Sequence, residues 1–545
     1  MPGPNIECQL EHLAAALALQ HSAPSDLEHW SPVDLHPPTA APRVTSAKHQ
    51  TAPGTSLVRS GPCLTSNRRL DVRLQRLPPD IWTRRANPDF HPFMLHSFPS
   101  RPDALHPYMP TFCRELSDIQ RGTDLAIAVA CRDIDVRNVK ALVMGPHETP
   151  YEFGFFEFAI RFSRDYPSKS PNVQCVTTNG GRCRLNPNIY ANGKVCLSIL
   201  GTWRGERGEE WSSAQGLESI LLSIQSLLSA NPYENEPGFE DANEESDKVY
   251  QKDYIQKIRH ESLRISVIQR LENYLGLSPL GGSTQLLTKE DGGDDDEEVN
   301  VPFEPFRDIC KRRFLWYYQS YLDAIEKGKS EVKLQDSFVR MPFEMPGNNC
   351  MEGKFNYPDL ERRLNNVKTA LDAEPAAWAA EGLTAVAKES TVAVNLYHQY
   401  EQVTAYFKRS DMPHDVTLDN DNPFVWIITY FGRPMTNLDG GLFRIRMNFS
   451  TRFPDEQPRV KFETKIFHHH VAPDGTACYV PNPLKREDVK SHIEAIISTL
   501  EEDEPAYDPR MIVNPEATKL FWGGGKDDKK QYNRRLRRSV QQSME

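Results

Sequence analysis

The feature that most constrains this 545-residue chain is an internal duplication, in which glycine, proline and aromatic landmarks recur at one constant spacing. Gly145, Gly154, Phe156, Tyr166-Pro167, Pro171 and Val173 return as Gly432, Gly441, Phe443, Phe453-Pro454, Pro458 and Val460, each pair 287 positions apart. After the glycines, apolar residues alternate: Phe156, Phe158, Ile160 and Phe162, then Phe443, Ile445, Met447 and Phe449. Period two places every second side chain on one face of a half-buried strand. Residues 139–144 and 425–431 supply the preceding strands, and 173–176 and 460–462 the following ones. Short connections bearing Gly or Pro make each set an antiparallel meander. Leu217, Ile220, Leu221, Ile224, Leu227 and Leu228 fall at helical spacing after the first meander, as do Ile493, Ile496, Ile497 and Leu500 after the second. Residues 112–119 and 396–407 predict amphipathic helices ahead of the sheets.

Composition sets the divisions. Residues 1–105 are rich in Pro, Ser, His and Thr without periodicity, which predicts a disordered arm. Residues 277–300 carry the acid run Glu290 to Glu298, the pattern of a self-repelling linker. A softer break at 373–382 leaves 106–276 as a first domain, 301–382 as a helical extension with linker, and 383–545 as a second domain with a basic tail. That tail, 526–538, reads first as a solvated helix end. The net charge of −11 and pI near 5.9 argue against a nucleic-acid-binding surface over the whole chain. No apolar run is long enough for a bilayer, and residues 10–19 lack the basic start of a secretory signal, so we expect a soluble chain of the cytoplasm, the nucleus or both. Ten cysteines without CxxC pairs lack zinc-site spacing and are expected to be reduced thiols.

One cysteine stands in a denser context. Leu185-Asn186-Pro187-Asn188-Ile189 leads through Gly193-Lys194-Val195 to Cys196-Leu197-Ser198-Ile199-Leu200, then Trp203 and Trp211-Ser212-Ser213-Ala214. This block resembles the active-site signature of ubiquitin-conjugating enzymes. Leu200-Gly201-Thr202-Trp203, Ile224-Gln225-Ser226-Leu227 and Asn231 to Glu240 are similar to the large Z-type branch, which includes the conjugating domain of the giant inhibitor-of-apoptosis proteins. The resemblance implies an α+β chain with two ubiquitin-conjugating-like domains, each a four-stranded antiparallel meander with flanking helices. Residues 301–371 fit that branch's C-terminal extension, in which Cys310, Phe314, Tyr317 and Tyr321 mark one helical face, read as core docked on the catalytic domain with a partner groove as the alternative. In the family, such extensions help choose the activating enzyme.

The implied chemistry needs these residue types. A Cys thiolate is both nucleophile and leaving group, so Cys196 would accept a modifier as a thioester from an activating enzyme and release it to a lysine, directly or through a ligase. Asn188, eight residues earlier, would brace the loop and donate to the oxyanion. A rim carboxylate, Glu234 or Glu236, would orient and help deprotonate the lysine. Asn186 stands where the generic family has His, a substitution associated with the Z-type branch, and Trp203 and Trp211 read as packing. No cofactor and no metal are implied. Partners are ubiquitin or a ubiquitin-like protein, the activating enzyme, a ligase and protein substrates.

The second copy departs from this pattern. His470 lies eight residues before Cys478, but His469 replaces the Pro, His470 the Asn, and Tyr479-Val480-Pro481 the apolar run. A neutral imidazole can donate one hydrogen bond, so a second site of Cys478, His470 and Asp508 remains open beside a non-catalytic partner surface. The run His468-His469-His470 invites a metal, yet on an extended segment consecutive side chains point to opposite faces. The alternative class for the whole chain is a non-catalytic binding module of this fold.

Overall fold

The computed structural model describes residues 109–122, 124–132, 134–205, 208–242, 244–279, 303–345, 351–409 and 414–545. The arm 1–105 and the acid run 290–298 lie outside the described residues.

The first sheet contains β1 (Ile127–Arg132), β2 (Asp135–Met144), β3 (Phe155–Arg161) and β4 (Asn172–Cys175), antiparallel and in sequential order. The second contains β5 (His414–Asp419), β6 (Asn422–Phe431), β7 (Leu442–Asn448) and β8 (Arg459–Phe462) in the same order. Every strand of the second sheet begins and ends 287 positions after its counterpart, and the irregularity at Cys131/Arg132 recurs at Leu418/Asp419. Close backbone approach holds the landmarks in place. A Cβ on Gly145 would lie 1.8 Å from the Tyr151 carbonyl oxygen, and one on Gly432 1.7 Å from that of Leu438, so neither position admits a side chain. The sequence pattern did not place β1 and β5. The small residues of Ile127–Arg132 leave the apolar alternation weak, and that strand is only partly buried.

Helices α1 (Met109–Arg121) and α2 (Leu217–Leu227) cover the inner face of the first sheet, where Phe112, Leu116, Ile220 and Ile224 meet Val143, Phe156 and Phe158. Beyond them, α3 (Glu245–Glu261) continues through a π-helical run, Ser262–Gln269, into α4 (Arg270–Leu275). The extension consists of α5 (Arg307–Glu331) and α6 (Tyr357–Ala387). The second copy has α7 (Thr391–Arg409) before its sheet and α8 (Val489–Glu501), α9 (Pro515–Trp522) and α10 (Lys526–Gln542) after it.

The expected break at 373–382 is absent, because α6 runs straight through it with Pro375 inside. Asn448 and Asn422 donate to the carbonyls of Pro375 and Ala379 at 3.2 and 3.0 Å, and Trp378 is buried, so this half of the helix packs on the second sheet. The Pro and Gly that suggested a linker are outweighed by a run of alanines, the best helix former.

Helix α5 seats on both copies. The Tyr317 ring stacks on Phe153 with centroids 4.0 Å apart, and the Tyr321 hydroxyl donates to the Phe153 carbonyl at 2.8 Å. Toward the second copy, the Trp316 indole donates to the Ala477 carbonyl at 3.1 Å and the Tyr317 hydroxyl to that of Arg510 at 2.7 Å. One apolar cluster therefore joins Met144 and Phe155, Phe314 and Leu360, and Cys478 and Val513. Paired charges lock the seams: Asp308 to Arg459 at 2.9 Å, and Arg363 to Glu272 through two bonds of 2.8 and 2.6 Å.

Candidate active site

The loop that presents Cys196 is organised by Asn186, whose side chain is fully buried. Its side-chain oxygen accepts from the Asn188 N–H at 2.8 Å, while its amide donates to the Leu227 carbonyl at 2.7 Å and the Tyr151 hydroxyl at 3.1 Å. The Tyr151 hydroxyl in turn donates to the Leu185 carbonyl at 2.7 Å. An Asn can supply both an acceptor and two donors, and here all are used to fasten a turn to the core. Across that turn, the Asn188 carbonyl accepts from the Cys196 N–H at 2.8 Å, and the Asn188 side-chain amide donates to the Cys196 carbonyl at 3.2 Å. Between them Gly193 takes φ +87°, with the Cys175 carbonyl 2.5 Å from where a Cβ would stand. Thr202 closes the far side, donating to the Val195 carbonyl at 2.6 Å and accepting from the Leu197 N–H at 3.0 Å. Cys196 is thus held at both backbone groups, with 4% of its surface exposed.

The rim distinguishes the two candidate acids. Glu234 is exposed in a short 3₁₀ turn, Pro232–Asn235, whereas Glu236 is half-buried and accepts from Arg184 at 2.8 Å. Burial raises the Glu236 pKa, and Arg184 opposes the rise. The buried Arg184 also donates to the Pro187 carbonyl at 2.6 Å and lies 5.0 Å from the Tyr190 ring centroid. The Tyr190 hydroxyl titrates higher than usual through burial first and then through the Cys196 thiol, which also hydrogen-bonds it, while Arg184 pulls the other way. Tyr190 and Arg184 are therefore site residues that the sequence pattern missed. Tyr190 was legible two residues after Asn188, but Arg184 carried no such mark. Phe343, from the segment between α5 and α6, stands 5.6 Å from the Arg184 guanidinium and 5.4 Å from the Tyr233 ring, so the extension backs the rim. Behind it, Lys257 and Glu344 form a fully buried ion pair at 2.8 Å. Trp211 packs, donating to the Pro167 carbonyl at 2.7 Å, but Trp203 is 45% exposed, which corrects its reading as a packing residue.

The corresponding place in the second copy is closed. The backbone is repeated, since the Cys478 N–H donates to the His470 carbonyl at 2.9 Å and Gly475 takes φ +87°. The thiol, however, is 1% exposed, lies in the apolar cluster with α5 and neighbours Ala477, whose carbonyl holds Trp316. Burial pushes its pKa far up, with Arg313 opposing and Asp508 adding to the rise. Asp508 caps a 3₁₀ turn, Pro509–Met511, and pairs with Arg510 at 2.9 Å. His470 bonds through Nδ1 to the Met511 carbonyl at 3.2 Å rather than to the Cys478 backbone. The second site read from the sequence is therefore closed: its thiol is sealed in the apolar cluster, and Asp508 near it is paired with Arg510.

The histidines also differ from expectation. The Val471 N–H returns to the His468 carbonyl at 3.2 Å, and this turn gathers the rings to centroid separations of 4.2, 4.3 and 5.8 Å instead of alternating them. Their Nδ1 atoms are taken by the His470 N–H, the Tyr532 hydroxyl and the Met511 carbonyl. Among the described residues no group of three His, Cys, Asp or Glu is arranged to hold a metal.

Comparison with known proteins identifies the family. The family model described as ubiquitin-conjugating enzyme matches residues 111–262 and again 396–540, more than half of the chain. Ubiquitin-conjugating enzyme E2 Z of Homo sapiens is 37% identical over 255 residues, 47% of this chain and 61% of that protein. The Danio rerio E2 Z is 38% identical over 258 residues, 47% of this chain and 67% of its own length. The dual E2 ubiquitin-conjugating enzyme/E3 ubiquitin-protein ligase BIRC6 of Homo sapiens is 40% identical over 151 residues, 27% of this chain and 3% of that protein. A solved E2 domain of a Toxoplasma gondii ubiquitin conjugating enzyme is 29% identical and covers 29% of this chain and 97% of its own, with a TM-score of 0.23.

Proposed function

Because the chain belongs to the ubiquitin-conjugating enzyme family, we propose that it accepts ubiquitin, or a ubiquitin-like modifier, on Cys196 and transfers it to lysine. The carrying observation is the asymmetry between the copies: Cys196 sits on a braced loop beside Asn188 and Tyr190, with Glu236 tied to that loop through Arg184, while Cys478 is sealed beneath α5. In the first step the Cys196 thiolate attacks the carbonyl of the activating enzyme's thioester, and that enzyme's thiol leaves. In the second, a lysine amine attacks the new thioester, the Cys196 thiolate leaves, and the amine's proton passes to Glu236 or water. Asn188 would leave the Cys196 carbonyl to meet the developing oxyanion, and Arg184 holds Glu236 and the Pro187 carbonyl in register. A ligase would deliver the substrate lysine to this rim. Cys175, Cys183, Cys196, Cys310 and Cys478 are buried thiols outside any disulfide, which supports work in a reducing compartment, cytoplasm or nucleus. The second copy acts as a non-catalytic structural partner, a reading favoured by the burial of its thiol.

The test is a non-reducing gel after incubation with activating enzyme, ubiquitin and ATP. We expect a reductant-sensitive adduct that survives Cys478→Ala and disappears in Cys196→Ala. An adduct that survives Cys196→Ala and is lost only in the double variant would transfer the activity to the second copy.

A further inference from the structure

The outer face of the first sheet carries a groove of about 810 Å³, lined by Arg132, Lys140, Arg161, Lys194 and Phe303, with Asp135 as the one acid among its described lining residues. Lys140 is held by Glu157 at 3.0 Å, but among the described residues Arg161 and Lys194 have no carboxylate within ion-pair distance. On the matching face of the second sheet the arginines are paired: Glu463 pairs with Arg444 and Arg446, and Asp419 pairs with Arg446 at 2.7 Å. The first face therefore gathers two cations without a described carboxylate partner, Arg161 and Lys194, into one groove.

Chain connectivity points to the occupant. Phe303 is the first described residue after 279, and its ring lies in the groove, 5.2 Å from the Arg132 guanidinium and 5.9 Å from the Lys140 ammonium. Glu304 follows at 3.9 Å from Lys140. Glu298 is five residues before Phe303 and cannot lie more than about 17 Å from it; Glu290, thirteen before, is limited to about 45 Å. Seven carboxylates are thus tethered to the mouth of a cationic groove, at an effective concentration on the order of millimolar. We propose that the acidic run Glu290–Glu298 docks in this groove and occupies the outer face of the first sheet within the same chain. The contact is a regulated one, because exposed ion pairs weaken as salt rises and any competing acidic ligand must displace the run. Lys194 lies in the groove two residues before Cys196, so the docked run reaches the edge of the thioester loop.

Amine footprinting of the full-length protein tests this. Lys194 should be acylated at least about threefold faster when the run is neutralised (E290Q, D291N, D294N, D295N, D296N, E297Q and E298Q), and wild type should match that variant at 1 M salt, where the Debye length is about 3 Å. Zero-length carbodiimide coupling should then link the run to Lys194, with a yield reduced about fivefold in Arg161→Glu, which inverts the charge but keeps both coupling partners. Equal acylation rates at low salt, or coupling that Arg161→Glu leaves unchanged, would overturn the proposal. Coupling directed to Lys526, Lys529 or Lys530 would overturn it by assigning the run to α10.

Discussion

At the scale of single residues, the loop around Cys196 separates two tasks. Asn188 bonds the Cys196 carbonyl, so Asn188→Ala removes a brace and, under the proposed mechanism, the oxyanion donor. We expect lysine discharge to fall by about 10²–10³ while thioester loading persists, measured as single-turnover decay of the preloaded adduct. Arg184 opposes the burial-driven rise of the Glu236 pKa. Arg184→Gln removes that opposition, so Glu236 keeps its proton to higher pH and the acid limb of the discharge profile should move upward. An unmoved limb would remove Glu236 from the proton transfer. Part of this site was legible in the sequence, because Asn188 and Cys196 brace each other across one turn eight residues long, whereas the core anchors of Asn186, Tyr151 and Leu227, are 35 and 41 positions away. Arg184 was not legible, since its partner Glu236 is 52 residues away and an arginine in a loop is ordinarily a solvated charge.

At the scale of elements, α5 decides the fate of the second thiol. Cys478 should resist iodoacetamide in the native protein and react on unfolding, because a buried neutral thiol is neither accessible nor nucleophilic. Trp316→Ala opens the cover at a cost of about 3–5 kcal/mol, and alkylation of Cys478 should accelerate in step, read by mass spectrometry. The pair Lys257–Glu344 fastens the segment that carries Phe343 to α3. Lys257→Met should cost about 3–5 kcal/mol by leaving a buried carboxylate alone, whereas Lys257→Met with Glu344→Leu should cost much less, both read from urea midpoints. Period-two alternation made β2, β3 and their copies readable, whereas the seat of α5 was not. Trp316 and Ala477 are 161 positions apart, and nothing in a helical stripe says which of two apolar surfaces it will cover.

At the scale of the whole molecule, the shared cluster of first copy, extension and second copy predicts a single cooperative unfolding transition rather than two. Calorimetry showing two separated transitions would refute this coupling. Acid should weaken the second copy before carboxylates titrate. Burial lowers the His468 pKa to about 3 and that of His470 to about 4, so the folded state excludes protons that the unfolded chain binds below its pKa near 6.5. Stability is therefore full above pH 6.5 and falls with pH, by roughly 2 kcal/mol per imidazole at pH 5, and urea midpoints between pH 7 and 5 measure it. The seam at Asp308 fails later. Burial alone would raise that carboxyl's pKa, but Arg312 and Arg459 hold it at about 2, so its contribution is lost only as pH falls from about 4 toward 2.

The 31-residue helix α6 grips α4 at one end through Arg363–Glu272 and β6 at the other through Asn422. At about 1.5 Å per residue it is a strut of roughly 46 Å. Two copies of one fold mounted on a strut form a ruler. A partner with a recognition element for each copy meets both at one preset separation, so its second contact gains avidity without a conformational search, provided its own span matches.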